Sequence, residues 1–477
     1  MGRPNILLIT TDQQRFDTIA ALGNREIFTP HLNWLVDEGI AFTRCYSDCP
    51  VCMPARATIM TGLSAYHHGL VGNHNDCLPM KDRATLASLL TQSGYQTRAE
   101  GKLHFNPMRT TYGIEHADLP MDYFNEMRKH GKVSCRAHGV GENEMEPVVN
   151  SVDESDSLTH WTVEKSVDFL ENRDPTRPFF LWTSFTKPHP PFDPCRSYWE
   201  LYKDAPISPP VVGDWSQDGN NIPLGFYEPT FQLNNIWRMS DYQKQQIKRA
   251  YYACITQIDY NLGILFARMR ELDLLENTWI LFTSDHGEML GDHNMGAKSV
   301  FLEGSAHIPF IIKPPAKFGE SHPHYAGVRC DKLITLADLM PTILSICSVQ
   351  GTECLDGTNL LEYMHTEEEK TFYGNCDHKF FAVIKNNYKY TWATAGGGEL
   401  LFDLEKDPYE QCNLAEQKDY NFVLKELKEI MIKEMEKTSQ QCLKDGELAQ
   451  KTCFDSHKQI PRFPGFNTTL FPRDSFH

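Results

Sequence analysis

The sequence predicts an α/β protein whose large mixed, mostly parallel sheet lies between layers of helices and is followed by a smaller α+β domain. Short apolar runs alternate with segments of helical periodicity through the first two thirds of the 477 residues, which is typical of such sheets. The chain also exceeds the usual size of one domain. Beyond about residue 360 the pattern changes. We therefore expect a large domain at 1–358 and, at 359–477, a small one with an antiparallel sheet and a helix.

Five short segments are the predicted strands of the large sheet. Segments of this length and composition, separated by helical stretches, favour strands that run parallel to one another. The five runs are NILLIT (5–10), YQTRAE (95–100), PFFLWTSF (178–185), WILFTSD (279–285) and IPFIIK (308–313).

Helical periodicity is clearest between the third and fourth strands. Apolar residues recur there at steps of three and four from Ile247 to Met269, which predicts an amphipathic helix. The segments 337–346 and 417–440 also have helical patterns. The segment 204–230 is rich in proline and glycine, so we interpret it as a long excursion that shapes a pocket.

Composition excludes several function classes. The chain carries 46 Lys plus Arg against 63 Asp plus Glu, a net charge of −17, which opposes binding to nucleic acid or anionic membranes. No apolar stretch approaches the roughly 18 residues that span a bilayer. The N-terminus lacks the pattern of a secretion signal, and the 14 cysteines are too sparse for a disulfide framework. We expect a cytoplasmic protein, or a periplasmic or secreted one if a signal was removed.

The tail contains Asn467-Thr468-Thr469, an acceptor for N-glycosylation on a secretory route. Because no secretion signal is visible, we interpret this match as coincidence.

Polar residues with chemical potential follow four of the predicted strands. Open α/β sheets place their ligand sites beyond the carboxyl ends of the strands, so we expect these side chains to meet at one edge. Each residue alone has a plainer interpretation, such as a helix cap, a solvated lysine or a turn histidine. The residues are Asp12 and Gln13, Lys102 and His104, His189, and Asp285 and His286.

Two kinds of site are predicted at this edge. Asp12, Gln13, Asp285 and His286 offer an oxygen-rich shell with one imidazole, which suits one divalent cation. We expect Ca²⁺, with Mn²⁺ or Mg²⁺ as alternatives and zinc less favoured. The cations of Lys102, Lys298 and Arg56 would make a local anion-binding pocket on an otherwise acidic protein.

The stretch FTRCYSDCPVCMPARATIMTG (42–62) places Cys52 near the start of a predicted helix. Pro54 suits a first helical turn and Gly62 a helix stop, so backbone N–H groups would stabilise an anion at Cys52. A zinc site formed by Cys45, Cys49 and Cys52 is an alternative, although its spacing is not that of paired knuckles and no fourth ligand is evident. We expect Cys45 and Cys49 to pack near the pocket floor.

The sequence Cys52-Met53-Pro54-Ala55-Arg56 resembles the Cys-x-Pro-x-Arg signature of the type I sulfatases, members of the alkaline-phosphatase-like superfamily. Further segments resemble motifs of that family, in the family's order, over roughly residues 5–315. These segments are GKLHF (101–105), KPHPPF (187–192) and SDHGEMLGDH (284–293), with a tail motif at LFDLEKDPYEQCNL (401–414).

The resemblance implies that a maturation enzyme converts Cys52 to formylglycine. A hydroxyl of the hydrated aldehyde would attack the sulfur of a small-molecule or saccharide sulfate ester, displace the alcohol and leave a covalent sulfate that is then expelled. Each predicted site residue receives a role by carry-over. Asp12, Gln13, Asp285, His286 and the modified Cys52 would bind the metal, Arg56 and His104 the hydroxyls, Lys102 and Lys298 the sulfate, and His189 the leaving alcohol.

One departure from the family pattern bears on specificity. Many sulfatases carry two aspartates after the first strand, whereas this chain has Asp12-Gln13, which resembles the branch of choline sulfatases and phosphonate monoester hydrolases. Asn73 falls where family members often line the substrate pocket, although a turn asparagine is an equal interpretation.

Three functional hypotheses follow. The first is hydrolysis of a sulfate monoester, with a carbohydrate sulfate as the preferred substrate. The second is hydrolysis of a phosphonate monoester, a phosphodiester or choline sulfate by the same site. The third is an anion-binding protein that keeps Cys52 unmodified and has no activity. The sequence predicts no oligomeric state.

Overall fold

The structure is a computed structural model that describes residues 3–73, 80, 82–217, 222–223, 225–226, 236, 239–351 and 354–451. The Asn467 sequon and parts of the predicted excursion at 204–230 lie outside the described residues.

The strands form a large sheet, a small sheet and a short hairpin. Their bounds are β1 Asn5–Asp12, β2 Ile40–Tyr46, β3 Gln96–Gly101, β4 His116–Asp118, β5 Phe179–Pro188, β6 Thr278–Ser284, β7 His307–Lys313, β8 Val328–Thr335, β9 Phe372–Cys376, β10 Phe380–Lys385, β11 Tyr388–Ala393, β12 Glu399–Asp403, β13 Leu443–Lys444 and β14 Glu447–Leu448.

Helices connect and cover these strands. Their bounds are α1 Pro30–Asp37, α2 Cys52–Thr61, α3 Ala65–His68, α4 Leu86–Gln92, α5 Pro120–Lys129, α6 Leu158–Asn172, α7 Arg196–Tyr202, α8 Asp241–Glu271, α9 Glu303–Ala306, α10 Ala316–Ser321, α11 Leu339–Ile346, α12 Leu360–Tyr363 and α13 Asn421–Thr438. Short 3₁₀ turns lie at Phe16–Thr18, Ala20–Leu22, Glu154–Asp156, Leu275–Asn277, Asp292–Asn294, Pro323–Tyr325, Leu336–Asp338, Lys418–Tyr420 and Gln440–Cys442. No helix among the described residues is long and apolar enough to cross a membrane.

The large sheet has eight strands in the order β4-β3-β5-β1-β6-β7-β2-β8. Its pairs are parallel except those that β7 makes with β6 and β2, which are antiparallel. All five predicted strands are present, each within three residues of its predicted ends. The predicted fold class, a mixed and mostly parallel sheet between helices, is confirmed.

Alternation along the central strands explains why helices cover both faces. In β1, Ile6 and Leu8 belong to the apolar core on one face of the sheet, and Leu7 and Ile9 to the core on the other. Successive side chains of a strand point to opposite faces, so a continuous apolar run requires cover on both sides. The helix predicted around 247–269 is the long α8, which buries Ile258, Leu262 and Leu265 on one of these faces.

The small sheet has the order β12-β11-β10-β9 and is antiparallel throughout. Helix α13 covers one face through Leu427, Met431 and Met435. The helix and the antiparallel sheet predicted for this region are therefore present. The domain boundary between residues 358 and 359 stays a prediction.

Candidate active site

Four neighbouring parallel strands deliver polar side chains to one edge of the large sheet. Strands β3, β5, β1 and β6 are adjacent in that order. Asp12 is the last residue of β1, and Asp285 directly follows β6. Lys102 directly follows β3 and His189 directly follows β5. The expectation that these residues meet at the carboxyl ends of the strands agrees with the sheet order.

Cys52 is the first residue of α2, and its side chain lies within this group. Its Sγ is 3.2 Å from His286 Nε2, 3.3 Å from Lys298 Nζ and 3.8 Å from Asp12 Oδ1. The next backbone N–H, that of Met53, donates to Asn73 Oδ1 over 3.0 Å. The start of the helix is thus capped by a side chain from a distant loop.

Arg56, one turn along α2, joins the two aspartates. Its side chain has no exposed surface, and its Nε lies 3.0 Å from Asp285 Oδ2. Its Nη2 is 3.5 Å from Asp12 Oδ2, and its Nη1 donates to Ser184 Oγ over 2.8 Å. A buried guanidinium of this kind neutralises part of the charge of two buried carboxylates.

Gln13 has a left-handed backbone, with φ of 76°, which is uncommon for a residue other than glycine. Its backbone N–H donates to Asp285 Oδ1 over 3.0 Å. Its Oε1 accepts from Lys298 Nζ over 2.6 Å, while its Nε2 donates to Glu288. The strained backbone and the buried Glu288 therefore fix the amide with its oxygen toward the site.

Four side chains could together hold a metal ion. One potential ligand atom from each of Asp12, Cys52, Asp285 and His286 lies within 4.8 Å of the others, and all four residues are buried. His286 Nδ1 lies 3.0 Å from the Gly287 carbonyl and donates to it, which leaves Nε2 as the nitrogen available to a metal ion. Asp12 Oδ2 is buried and faces two cationic groups, Lys102 Nζ and Arg56 Nη2. The donor set of two carboxylates, one imidazole and the Cys52 side chain fits a divalent cation.

The lysines determine the protonation of Asp12 and Cys52. Burial raises the pKa of Asp12, but Lys102, which forms an ion pair with it, and Lys298 outweigh burial and hold that pKa well below its usual value. Burial and Asp12 raise the pKa of Cys52, but Lys102, Lys298 and His286 lower it well below that of an ordinary thiol. These cations therefore favour the thiolate form of the unmodified side chain.

The second carboxylate behaves in the opposite way. Burial and the neighbouring charge of Asp12 raise the pKa of Asp285, although His286 and Arg56 partly offset them. Two buried carboxylates this close disfavour each other's charge. A bound cation would remove that conflict, because it would favour the charged form of both.

His189 is buried at 6 % exposure, and its Nδ1 donates to the Pro190 carbonyl over 2.8 Å. Its Nε2 is the remaining ring nitrogen. Burial together with the charges of Lys298 and Lys102 lowers the pKa of His189 well below its usual value. At neutral pH, and without a bound anion, the imidazole of His189 is therefore neutral.

Not every predicted site residue lies in this cluster. The side chain of His104 is exposed, and the hydrogen-bond partners of Cys52 Sγ among the described residues are Asp12, His286, Lys102 and Lys298. Its role toward the modified cysteine stays a prediction. Asn73 is also exposed, and its contact is with the start of α2. Cys45 and Cys49 are buried free thiols, and their position near the pocket floor stays a prediction.

Two site residues were missed by the sequence analysis. Glu288, which holds the Gln13 amide, lies inside the quoted motif SDHGEMLGDH, yet only its position there could have suggested it. Ser184 lies within β5, and its Oγ accepts a hydrogen bond from Arg56. Nothing in the sequence marks it except its place near the end of the strand.

Comparison with known proteins gives two matches to family models. The sulfatase model matches residues 4–349. A model described as N-sulphoglucosamine sulphohydrolase, C-terminal, matches residues 291–438, which include the small sheet and α13.

Curated relatives align over nearly the whole chain. An arylsulfatase of Clostridium perfringens is 34% identical over 467 residues, which cover 91% of this chain and 95% of that protein. A choline-sulfatase of Rhizobium meliloti is 29% identical over 447 residues, which cover 87% of this chain and 83% of that protein.

Among solved structures, the phosphonate monoester hydrolase of Agrobacterium radiobacter superposes with a TM-score of 0.79 at 25% identity. The match covers 91% of this chain and 96% of that one.

Proposed function

We propose that the nucleophile of this protein is a formylglycine formed from Cys52. The premise is that the chain belongs to the sulfatase family and hydrolyses sulfuric esters. One observation carries the proposal. The Cys52 side chain lies at the start of α2, between Lys298, His286 and Asp12, within the Cys-x-Pro-x-Arg sequence. A thiolate there could act as a ligand, but a hydrated aldehyde in its place would present two hydroxyls to the same groups.

The modification is an oxidation of the chain itself. The –CH₂–SH group becomes –CHO, so the side chain gains one oxygen from the oxidant and its sulfur leaves with two hydrogens as hydrogen sulfide. A maturation enzyme supplies the oxidant and completes this step before catalysis. Water then adds to the aldehyde to give a carbon with two hydroxyl groups. The position of Cys52 Sγ marks the region in which these hydroxyl oxygens would lie.

The lysines recognise the substrate anion. Lys298 Nζ lies 3.3 Å from Cys52 Sγ, and Lys102 Nζ lies 4.0 Å from it. A sulfate whose sulfur faces the nucleophile would place its oxygens beside both ammonium groups. Charge-assisted hydrogen bonds of this kind strengthen as negative charge develops in the transition state.

A divalent cation would fit this site. We infer that Asp12, Gln13, Asp285 and His286 would hold it, with the modified Cys52 as a further ligand. When bound, the cation would supply Lewis-acid polarisation at the nucleophile. Ca²⁺ is the ion we propose, with Mn²⁺ or Mg²⁺ as alternatives, because carboxylate and amide oxygens predominate.

The alcohol that leaves needs a proton or a hydrogen bond. His189 is the buried imidazole at the end of β5, and its Nδ1 is committed to the Pro190 carbonyl. The negative charge of a bound sulfate ester would offset the lysines and favour protonation at Nε2. We infer that this nitrogen donates to the leaving oxygen.

A sulfated saccharide is the proposed substrate. Support comes from the family model that matches residues 291–438, which is named after an enzyme of N-sulphoglucosamine. Choline sulfate and phosphonate monoesters are alternatives, supported by the choline-sulfatase relative and by the fold match to a phosphonate monoester hydrolase.

The test compares a sulfate monoester, a phosphonate monoester and a phosphodiester of one phenol, followed by a panel of sulfated saccharides and choline sulfate. We expect the highest kcat/KM for the sulfate within the first set and for a saccharide within the panel. A clear preference for the phosphonate would reject the sulfate-ester assignment. A preference for choline sulfate would reject only the saccharide.

A further inference from the structure

The turn that carries His189 has few backbone donors of its own. Between Lys187 and Asp193 the sequence is Pro188-His189-Pro190-Pro191-Phe192. Proline lacks a backbone N–H, so three of these five residues can make no such hydrogen bond. The conformation of the turn must therefore be fixed by other groups.

The ammonium group of Lys187 provides those donors. Its Nζ donates to the Pro191 carbonyl over 2.6 Å and to the His189 carbonyl over 3.3 Å. The same nitrogen forms an ion pair with Asp193. One side chain therefore joins two carbonyls of the turn and the carboxylate that follows it.

Asp193 is held in turn by a second segment. Its Oδ2 accepts from His138 Nε2 over 3.2 Å. The proton must lie on that nitrogen, because His138 Nδ1 accepts from the backbone N–H of Val140 over 3.0 Å. The side chain of Asn150 donates to the Asp193 carbonyl over 3.1 Å.

The Lys187–Asp193 pair is nearly dry, with side-chain exposures of 13% and 2%. Burying two opposite charges has a desolvation cost that apolar side chains of similar size would avoid. Packing alone therefore gives little reason for charges here. The contacts with the His189 turn give a reason.

We propose that Lys187 and Asp193 are positioning residues for His189, and that they fix the place at which its Nε2 meets the leaving oxygen of the substrate. The inference rests on the proposed role of His189 as the donor to that oxygen. Without either charge, the turn at 188–192 would lose the contacts that hold its conformation. Proton donation by His189 would then weaken, while Lys102 and Lys298 would still bind the sulfate.

The experiment measures kcat/KM for aryl sulfates whose phenols span a wide range of pKa, with rates divided by the formylglycine fraction. K187M, D193N and H189N are compared with wild type and with K203M. Lys203 is a matched control because it is exposed and pairs with Glu200 outside the site. Poor leaving groups need the donated proton most, and a positioned acid contributes about 10²–10⁴-fold.

We expect K187M and D193N to lose about tenfold or more on the poorest leaving groups and about threefold or less on the best, in the direction of H189N. K187R should recover most of the loss, and K203M should match wild type. Equal loss on all esters, or none, in K187M and D193N while H189N responds, would overturn the positioning role alone. If H189N itself shows no dependence on the leaving group, its proposed role fails and the positioning role fails with it.

Discussion

Replacing Arg56 by methionine should destabilise the protein strongly and in a way that depends on metal. The guanidinium is fully buried and lies 3.0 Å from Asp285 and 3.5 Å from Asp12. Removing one partner of a buried ion pair typically costs about 3–5 kcal/mol, because a charge is left without compensation. Two carboxylates share this guanidinium, so we expect R56M to lose at least the lower figure when no divalent cation is present.

Urea denaturation followed by tryptophan fluorescence, in the presence of a chelator and then of excess Ca²⁺, measures this loss. Added Ca²⁺ should raise the free energy of unfolding of R56M more than that of wild type, because the cation replaces the missing positive charge. R56K keeps a charge without the planar donors and should lie between the two. Equal stability of R56M and wild type in the chelator would refute this account of the two aspartates.

Three further predictions test separate parts of the site and its support. K298M should reduce kcat/KM by about 10²–10³-fold, because it removes a charged donor beside the nucleophile, whereas K433M on the exposed side of α13 should leave activity unchanged. Glu100 is buried and its pKa is raised to about 8, so the stability it contributes when protonated is lost as pH rises toward that value. Between pH 5 and pH 9 the free energy of unfolding of wild type should therefore fall by on the order of a few kcal/mol more than that of E100Q, and an equal fall in both proteins would contradict this. G101A should lose activity as well as stability, because a Cβ at that left-handed position would lie 2.1 Å from a carbonyl of the neighbouring strand and displace the lysine that follows. G94A has the same backbone strain with open space around it, and should lose only about 1 kcal/mol; matching turnover in the two variants would argue against the displacement.

The core of the sheet was predictable because its central strands are continuous apolar runs. Strands β2, β4 and β8 were not predicted, and β4 has only three residues. Strand β2 contains Thr43 and Arg44, and its register shifts in that region against both of its neighbours. Only half of the residues of strand β8 are apolar, and the strand lies at the edge of the sheet. Strands that are irregular or at an edge lack the periodicity on which such predictions depend.

Most of the predicted site residues come together because the strand order places them at one edge of the sheet. The sequence can suggest this, because each of these residues lies at or just beyond the end of a predicted strand. The groups that support them were not predictable in the same way. Glu288 accepts a hydrogen bond from the side-chain amide of Gln13. Asp193 accepts hydrogen bonds from the side chains of His138 and Asn150. Such contacts join segments far apart in sequence, and no local pattern marks them.

His104 shows the opposite case. Its motif GKLHF was easy to find, yet the side chain is exposed, with a left-handed backbone of φ 53°. A match of residue types gives the order of a motif along the chain. It does not give the direction of each side chain, which depends on the backbone angles at that residue.

The most direct test of the central claim joins one mass measurement to one rate. Protein made with and without a formylglycine-generating enzyme is digested, and the peptide that contains Cys52 is weighed while turnover of an aryl sulfate is measured on the same samples. We predict that turnover rises in proportion to the fraction of peptide that has lost sulfur and two hydrogens and gained oxygen, and that C52A is inactive under both conditions. Full turnover by protein whose Cys52 is entirely unmodified would contradict the account.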